Sequence, residues 1–247
     1  MKSRPKAAGH WNRCASGVNS SFRPEVAVSA TRQITDVLRF TPNRLLAALG
    51  ACGILSTLSL VVASALGAVM RANYDSVRDS ISELYEMGAP HAHWLMVLFT
   101  LYHALVISVG LARGLPPAPR GWIGPFLLGL AGVFGIPLGA YARCDPGCFG
   151  ATTFRGQLHG ILVLLTVPLI FAAMIGVWYR LRHYSGWRRY RRYTLTTVIV
   201  GIVFGIAMIP FIQGPYTGLL ERISVGLIVQ WYAVSGALLI AVARNRA

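Results

Sequence analysis

Charge is what this chain has least of. Asp, Glu, Lys and Arg make up 13% of its 247 residues, where a soluble globular domain carries about 25%. Acidic residues are the rarer sign, eight against 23 Lys and Arg, for a formal net charge of +15. Six stretches hold no charged residue at all: Leu45–Met70, His91–Ala112, Trp122–Ala142, Gly160–Tyr179, Thr194–Gln213 and Ile223–Ala243. Each approaches or exceeds the roughly 20 helical residues needed to cross a hydrocarbon core about 30 Å thick. With 55% apolar residues and a mean hydropathy of +0.56, the chain is excluded from the ordinary soluble class. The alternating pattern of a membrane β-strand is absent. A span in lipid must satisfy its own backbone hydrogen bonds, which leaves helix.

The expected fold is an all-α membrane protein, a bundle of six transmembrane helices spanning 45–243. A basic, largely disordered segment (1–44) precedes it and a short tail (244–247) follows. The first 44 residues lack the apolar core of a signal peptide. Placing both termini in the cytoplasm puts 18 of the 23 basic residues inside and five outside, the asymmetry that orients membrane helices. The basic excess is therefore a topology signal, helped by anionic lipid at Arg188–Arg189 and Arg191–Arg192. No nucleic-acid reading motif accompanies it, and no nucleic-acid partner is expected.

Cysteine is also scarce. Cys14 and Cys52 have no obvious partner, whereas Cys144 and Cys148 flank Asp145-Pro146-Gly147 in the second outer loop. In an oxidising space that spacing favours a disulfide around a Pro-Gly turn, with a zinc pair as the rival reading. Small residues at four-residue spacing, Ala131, Gly135 and Gly139 and then Gly201 and Gly205, mark close helix contacts. Pro137 and Pro210 are expected to kink their helices.

Polar chemistry gathers at the outer ends. In the first outer loop Val77, Ile81, Leu84 and Tyr85 repeat at helical spacing from Ser76 to Met87. This predicts a short amphipathic helix, with Ser76 and Asp79 as a capping pair. The three outer loops together supply Tyr74, Asp75, Asp79, Glu83, His91 and His93, then Arg143, Asp145, Arg155 and His159, then Tyr216, Glu221 and Arg222. Their convergence predicts an outward-facing polar pocket, with Glu221, Arg222, Arg155 and His91 as ligand-binding candidates. His159 with Asp145 could form an oriented base, and Ser80 or Ser82 an acyl acceptor, though no nucleophile elbow surrounds either serine. The alternative for the charged groups is mutual pairing that ties the loops shut, Asp145 with Arg143 or Arg155, and Glu221 and Arg222 in salt bridges. Zinc could be held by His159 and carboxylates; His91 and His93, about 200° apart on a helix, cannot share an ion. No cofactor is predicted. His103, mid-span, is a candidate by position or a neutral histidine bonded to a neighbouring helix, for example to a Ser, a Thr or Gln230. Polar steps across the membrane are otherwise missing, which argues against ion transport.

Three segments carry a resemblance: Tyr74-Asp75-Ser76 followed by Ile81-Ser82-Glu83-Leu84; Cys144-Asp145-Pro146-Gly147-Cys148 followed by Gly156-x-x-His159-Gly160; and Gly218-Leu219-Leu220-Glu221-Arg222-Ile223 before a Trp-bearing last span. In this order the chain resembles the bacterial family called domain of unknown function 998, from about Leu45 to Ala243. The resemblance implies a six-helix integral membrane protein, expected in the bacterial inner (plasma) membrane, and supplies no activity, since none is assigned to the family. It carries over Ser82, Glu83, Asp145, His159, Glu221 and Arg222 as candidate site residues. The leading functional expectation is a non-catalytic protein that binds a lipid or small apolar ligand, or assists a partner membrane protein, at the outer face. The alternatives are an intramembrane lipid hydrolase using His159 with Asp145 or Glu83, with or without metal, and a purely structural subunit.

Overall fold

The computed structural model describes residues 42–114, 121–148 and 150–245. The expectations for the basic segment before residue 42, for Cys14 and for the proline-rich connector at 115–120 lie outside these residues. Six long helices account for most of the described residues, and no strand occurs among them. They are α1 (Pro42–Met70), α2 (Ala92–Gly114), α3 (Ile123–Ala140), α4 (Phe154–Leu181), α5 (Arg188–Met208) and α6 (Thr217–Arg244). All six are long and apolar enough to cross a membrane. With an even number of spans, the start of α1 and the end of α6 share one face, the terminal end. The other face, the loop end, carries the connections α1–α2, α3–α4 and α5–α6.

Each helix packs on its sequence neighbours, and α6 closes on α1 to complete a ring. Close backbone approach makes that closure. A Cβ on Gly236 would lie 2.2 Å from the Gly50 carbonyl oxygen, so only glycine permits α1 and α6 to meet there, as small residues do where helices associate in lipid. The expected small-residue row on α3 faces α2: a Cβ at Gly135 would meet the His103 ring, and one at Gly139 the Thr100 amide at 2.7 Å. Gly201 packs against the Phe171 ring, and its carbonyl accepts from Ser224 Oγ at 3.0 Å. The interior is filled by large side chains, among them Tyr102, Met174, Trp231 and Tyr232. Apolar residues such as Leu55, Val61, Leu164 and Ile206 face outward, as a lipid-facing surface requires.

The helices extend past the apolar runs. The start of α4 takes in Arg155 and that of α6 takes in Glu221 and Arg222, because backbone bonding continues into the interface after the hydrophobic stretch has ended. Pro210 ends its helix instead of kinking it: α5 stops at Met208 and a 3₁₀ turn, Ile209–Phe211, follows, since proline has no N–H to give the preceding turn. Pro137 lies in the last turn of α3, where its carbonyl accepts from both Tyr141 and Ala142.

The amphipathic helix expected over Ser76–Met87 is reduced to one 3₁₀ turn, Ser82–Tyr85. The backbone upstream is committed elsewhere. The Asp75 carboxylate accepts from the Val77 amide at 2.8 Å, the Asp79 carboxylate from the Asp75 amide at 2.9 Å, and Glu221 of α6 from the Ile81 amide at 2.7 Å. Such side-chain acceptors compete directly with helical bonding. The capping pair is real but four residues further on: the Ser80 amide donates to Glu83 Oε1 at 2.9 Å, and the Glu83 amide to Ser80 Oγ at 3.3 Å.

Candidate functional site

Loop one is held to α6 from both directions. The amides of Gly218 and Leu219, at the start of α6, donate to the carbonyls of Arg78 (3.1 Å) and Val77 (2.8 Å), which satisfies part of the helix's unpaired first turn. In return Arg222 Nη1 donates to the Ser76 and Asp79 carbonyls, both at 2.8 Å, and to its own helix at Gly218. Its Nη2 donates to the Tyr74 hydroxyl, and the guanidinium lies 5.4 Å from that ring's centre. Burial pushes the Tyr74 hydroxyl up to about 12, although Arg222 pulls the other way. Gly218 permits the contact, because a Cβ there would sit 2.2 Å from the Asp79 carbonyl oxygen. Glu221 and Arg222 therefore tie loop one to α6 through backbone groups of loop one, and not through the salt bridges that the pairing alternative expected.

Two further carboxylates anchor loop two. Buried Glu86 pairs with Arg71 Nη2 at 2.6 Å and accepts from the Gly147 amide at 2.7 Å. The Met87 amide donates to the Cys144 carbonyl at 3.0 Å beside it. Asp145 binds the start of α4. Its Oδ2 accepts from the Thr152 amide (2.5 Å), the Thr152 hydroxyl (2.9 Å) and the Thr153 amide (2.9 Å), and its Oδ1 from the Thr153 hydroxyl (2.6 Å). The Thr153 hydroxyl then caps α4 at the Gly156 amide. These bonds, led by those from Thr153, hold the Asp145 carboxyl down at about 2. Gly156 has no side chain because a Cβ would stand 2.8 Å from that carboxylate. Neither Arg143 nor Arg155 is the partner of Asp145; Arg155 is exposed and lies over the Tyr141 ring at 4.6 Å.

His159 is buried one turn into α4, where Nδ1 meets the Ala142 carbonyl at 2.9 Å and the Tyr85 ring centre is 6.3 Å away. The side chain of Asp145 is spent on the two threonines and that of Glu83 on the Ser80 amide, so a backbone carbonyl, and neither carboxylate, orients the imidazole. Ser82 sits half-buried in the 3₁₀ turn. His91 and His93 are exposed, the latter stacked near Trp94. The sulfurs of Cys144 and Cys148 are placed in bonding contact, with Cα atoms 4.9 Å apart. Glu86 completes a group of three potential metal ligands with them. Joined sulfurs offer no thiolate, and Glu86 already serves Arg71 and Gly147, so this group does not fit a resident zinc. Arg71 and Glu86 are the structural nodes that sequence reasoning passed over; their only signal was opposite charge at the two ends of one loop. His103 packs on Gly135 with no partner for Nδ1 among the described residues, and Gln230 is exposed and does not supply one.

The terminal end is organised differently. A cavity of about 820 Å³ lies between the start of α3 and the end of α4, with Arg113 of α2 at its inner wall. It runs from buried Arg113 and Leu181 out to Trp122, Ile123, Ile175 and Tyr179, which are exposed on the helix surfaces. Its walls are mostly apolar, and Gly124 and Gly176 let the two helices touch beneath it. Charge divides between the two ends. Among the described residues all six Asp and Glu are at the loop end, and the terminal end carries Arg alone: Arg44, Arg113, Arg180, Arg182, Arg244 and the four of the α5 first turns.

No curated protein and no solved structure matches the chain. The family described as "Protein of unknown function (DUF998)" matches residues 54–238, a range that takes in all three loop-end motifs, both nodes around Glu86 and Asp145, and the walls of the cavity. This multi-pass membrane protein therefore belongs to that family of unknown function.

Proposed function

We propose that the protein is a non-catalytic, lipid-binding membrane protein of the bacterial plasma membrane, and that its ligand enters the cavity between α3 and α4 from the bilayer. The carrying observation is the shape and lining of that cavity: about 820 Å³, walled mainly by Trp122, Ile123, Pro125, Ile175 and Val177, and open among residues that face lipid. Ligand sites are concave, mostly apolar and of this size. The loop end is a less favourable place for the outward-facing pocket, because Glu221, Arg222, Glu86 and Asp145 spend their polar atoms on the loops themselves. Hydrolysis by His159 with Asp145 or Glu83 has less support for the same reason. The Arg-rich terminal end is assigned to the cytoplasm by the placement of the basic residues.

The test is gentle extraction followed by a count of retained lipid per protein, beside Ala172→Trp, which places an indole in the cavity. Retention of a defined lipid by the natural chain and its loss in the folded variant are expected. Equal retention in both would remove the cavity as the ligand site.

A further inference from the structure

Resting on the lipid-binding reading, we propose that the cavity selects an anionic amphiphile, whose phosphate or carboxylate head is held between Arg113 and Arg180 while its tail leaves between α3 and α4.

Two arginines line this cavity, each on the last turn of its helix. Arginine at a helix C-terminus is ordinarily explained by the helix dipole and by snorkelling toward water. Arg113 goes the other way. It is 4% exposed, turned into the ring with its guanidinium 5.0 Å from the Tyr190 ring centre and 5.4 Å from that of Trp231. Its Nη2 donates to the Tyr190 hydroxyl, which itself meets Ser235 Oγ at 2.5 Å. Among the described residues its buried Nε has no partner. Arg180, half-buried across the cavity on α4, donates from Nη2 to the Tyr184 hydroxyl at 3.4 Å, and among the described residues its buried Nε also has no partner.

A buried guanidinium carries a charge that must be paired to be tolerated, and it offers five N–H donors. Neutral phenols supply a small part of that demand. Among the described residues no Asp or Glu lies at this end of the bundle, so none of their carboxylates answers it. Arginine's planar fork suits phosphate and carboxylate alike. The remaining walls are apolar and lead to the lipid-facing surface. Two donor-rich cations at the inner wall and an apolar exit describe an ionic head with a hydrocarbon tail, and a zwitterionic head would bring a second charge of the wrong sign between them.

The full-length protein in zwitterionic nanodiscs is titrated with phosphatidylglycerol, with phosphatidylcholine and with inorganic phosphate, and occupancy is read by native mass spectrometry. The variants are Arg180→Gln, Ala172→Trp and, as a surface control, Arg188→Gln. Arg180→Gln is preferred to Arg113→Gln, because Arg113 also holds Tyr190 in the core. One saturable phosphatidylglycerol site is expected, with phosphatidylcholine weaker by roughly tenfold or more, the scale of a lost charged hydrogen bond. Arg180→Gln should erase that preference, Ala172→Trp should remove the site, and Arg188→Gln should change neither. If inorganic phosphate binds as tightly as phosphatidylglycerol and competes with it, the anion site stands and its natural source is free phosphate. Equal binding of both lipids, lost only in Ala172→Trp, overturns the anionic selection and leaves the lipid-binding reading intact. Binding that ignores Ala172→Trp overturns both.

Discussion

Replacing Arg222 by Met keeps the unbranched stem and the helix propensity of the side chain and deletes every donor. The loss can be sized from the bonds. Three acceptors outside α6 lose their partner: the Ser76 and Asp79 carbonyls, each at 2.8 Å, and the Tyr74 hydroxyl. Bonds to a charged donor contribute about 1.5–3 kcal/mol each when buried. Here the group is half-buried, and about 1 kcal/mol apiece is the fair figure, giving roughly 2–3 kcal/mol for the attachment of loop one. That energy belongs to local opening of the loop more than to the bundle, whose packing lies below. Trypsin cleavage after Arg78 in detergent reads it, because cleavage follows the open population when reclosing is fast. At 1.4 kcal/mol per tenfold, cleavage should accelerate by about thirty- to a hundredfold, with cleavage at the terminal end unchanged. Arg222→Lys, a single point charge without the fork, should fall between. Cleavage after Arg78 within about threefold of the natural chain would refute the clamp.

Asp145 makes a pH prediction whose sign is fixed by its low carboxyl. The folded value is about 2, below the ordinary 3.8, so its stabilisation is complete above the ordinary value and is lost as pH falls from about 4 through about 2. Unfolding midpoints taken across that window should drop for the natural chain and be flatter for Asp145→Asn, which is already weaker at neutral pH; parallel curves would contradict the assignment. Gly156→Ala should destabilise by about 1–3 kcal/mol through overpacking against the same carboxylate, read as a lowered unfolding midpoint. Alkylation followed by mass spectrometry should label two of the four cysteines before reduction and all four after it, with Cys144 and Cys148 the protected pair. Labelling of all four at the outset would show them as free thiols.

The six spans are legible in the sequence because one physical quantity, uninterrupted apolar length, decides them. The loop-end residues are legible as a cluster, since Glu221, Arg222 and Asp145 stand out against a chain so poor in charge. Their partners are not legible. Arg222 takes backbone carbonyls of Ser76 and Asp79, and Asp145 takes Thr152 and Thr153. Any residue presents a carbonyl, so nothing in the composition of loop one marks it as the acceptor. Helical spacing in loop one misleads because Val77, Ile81 and Leu84 are spaced like a helix, while Glu83 and Glu221 claim the Ser80 and Ile81 amides and α6 claims the carbonyls of Ser76, Val77, Arg78 and Asp79 that a helix would use. The cavity is hidden for another reason. Arg113 and Arg180 read as orientation signals at helix ends, and only the approach of α3 to α4 through Gly124 and Gly176 shows them facing one space.

The most direct measurement is a density map of the full-length protein in nanodiscs containing phosphatidylglycerol. The account predicts elongated density between α3 and α4, with its compact end between Arg113 and Arg180 and its tail beside Ile175 and Trp122. A cavity filled instead by the protein's own side chains, with both guanidiniums paired internally, would contradict it.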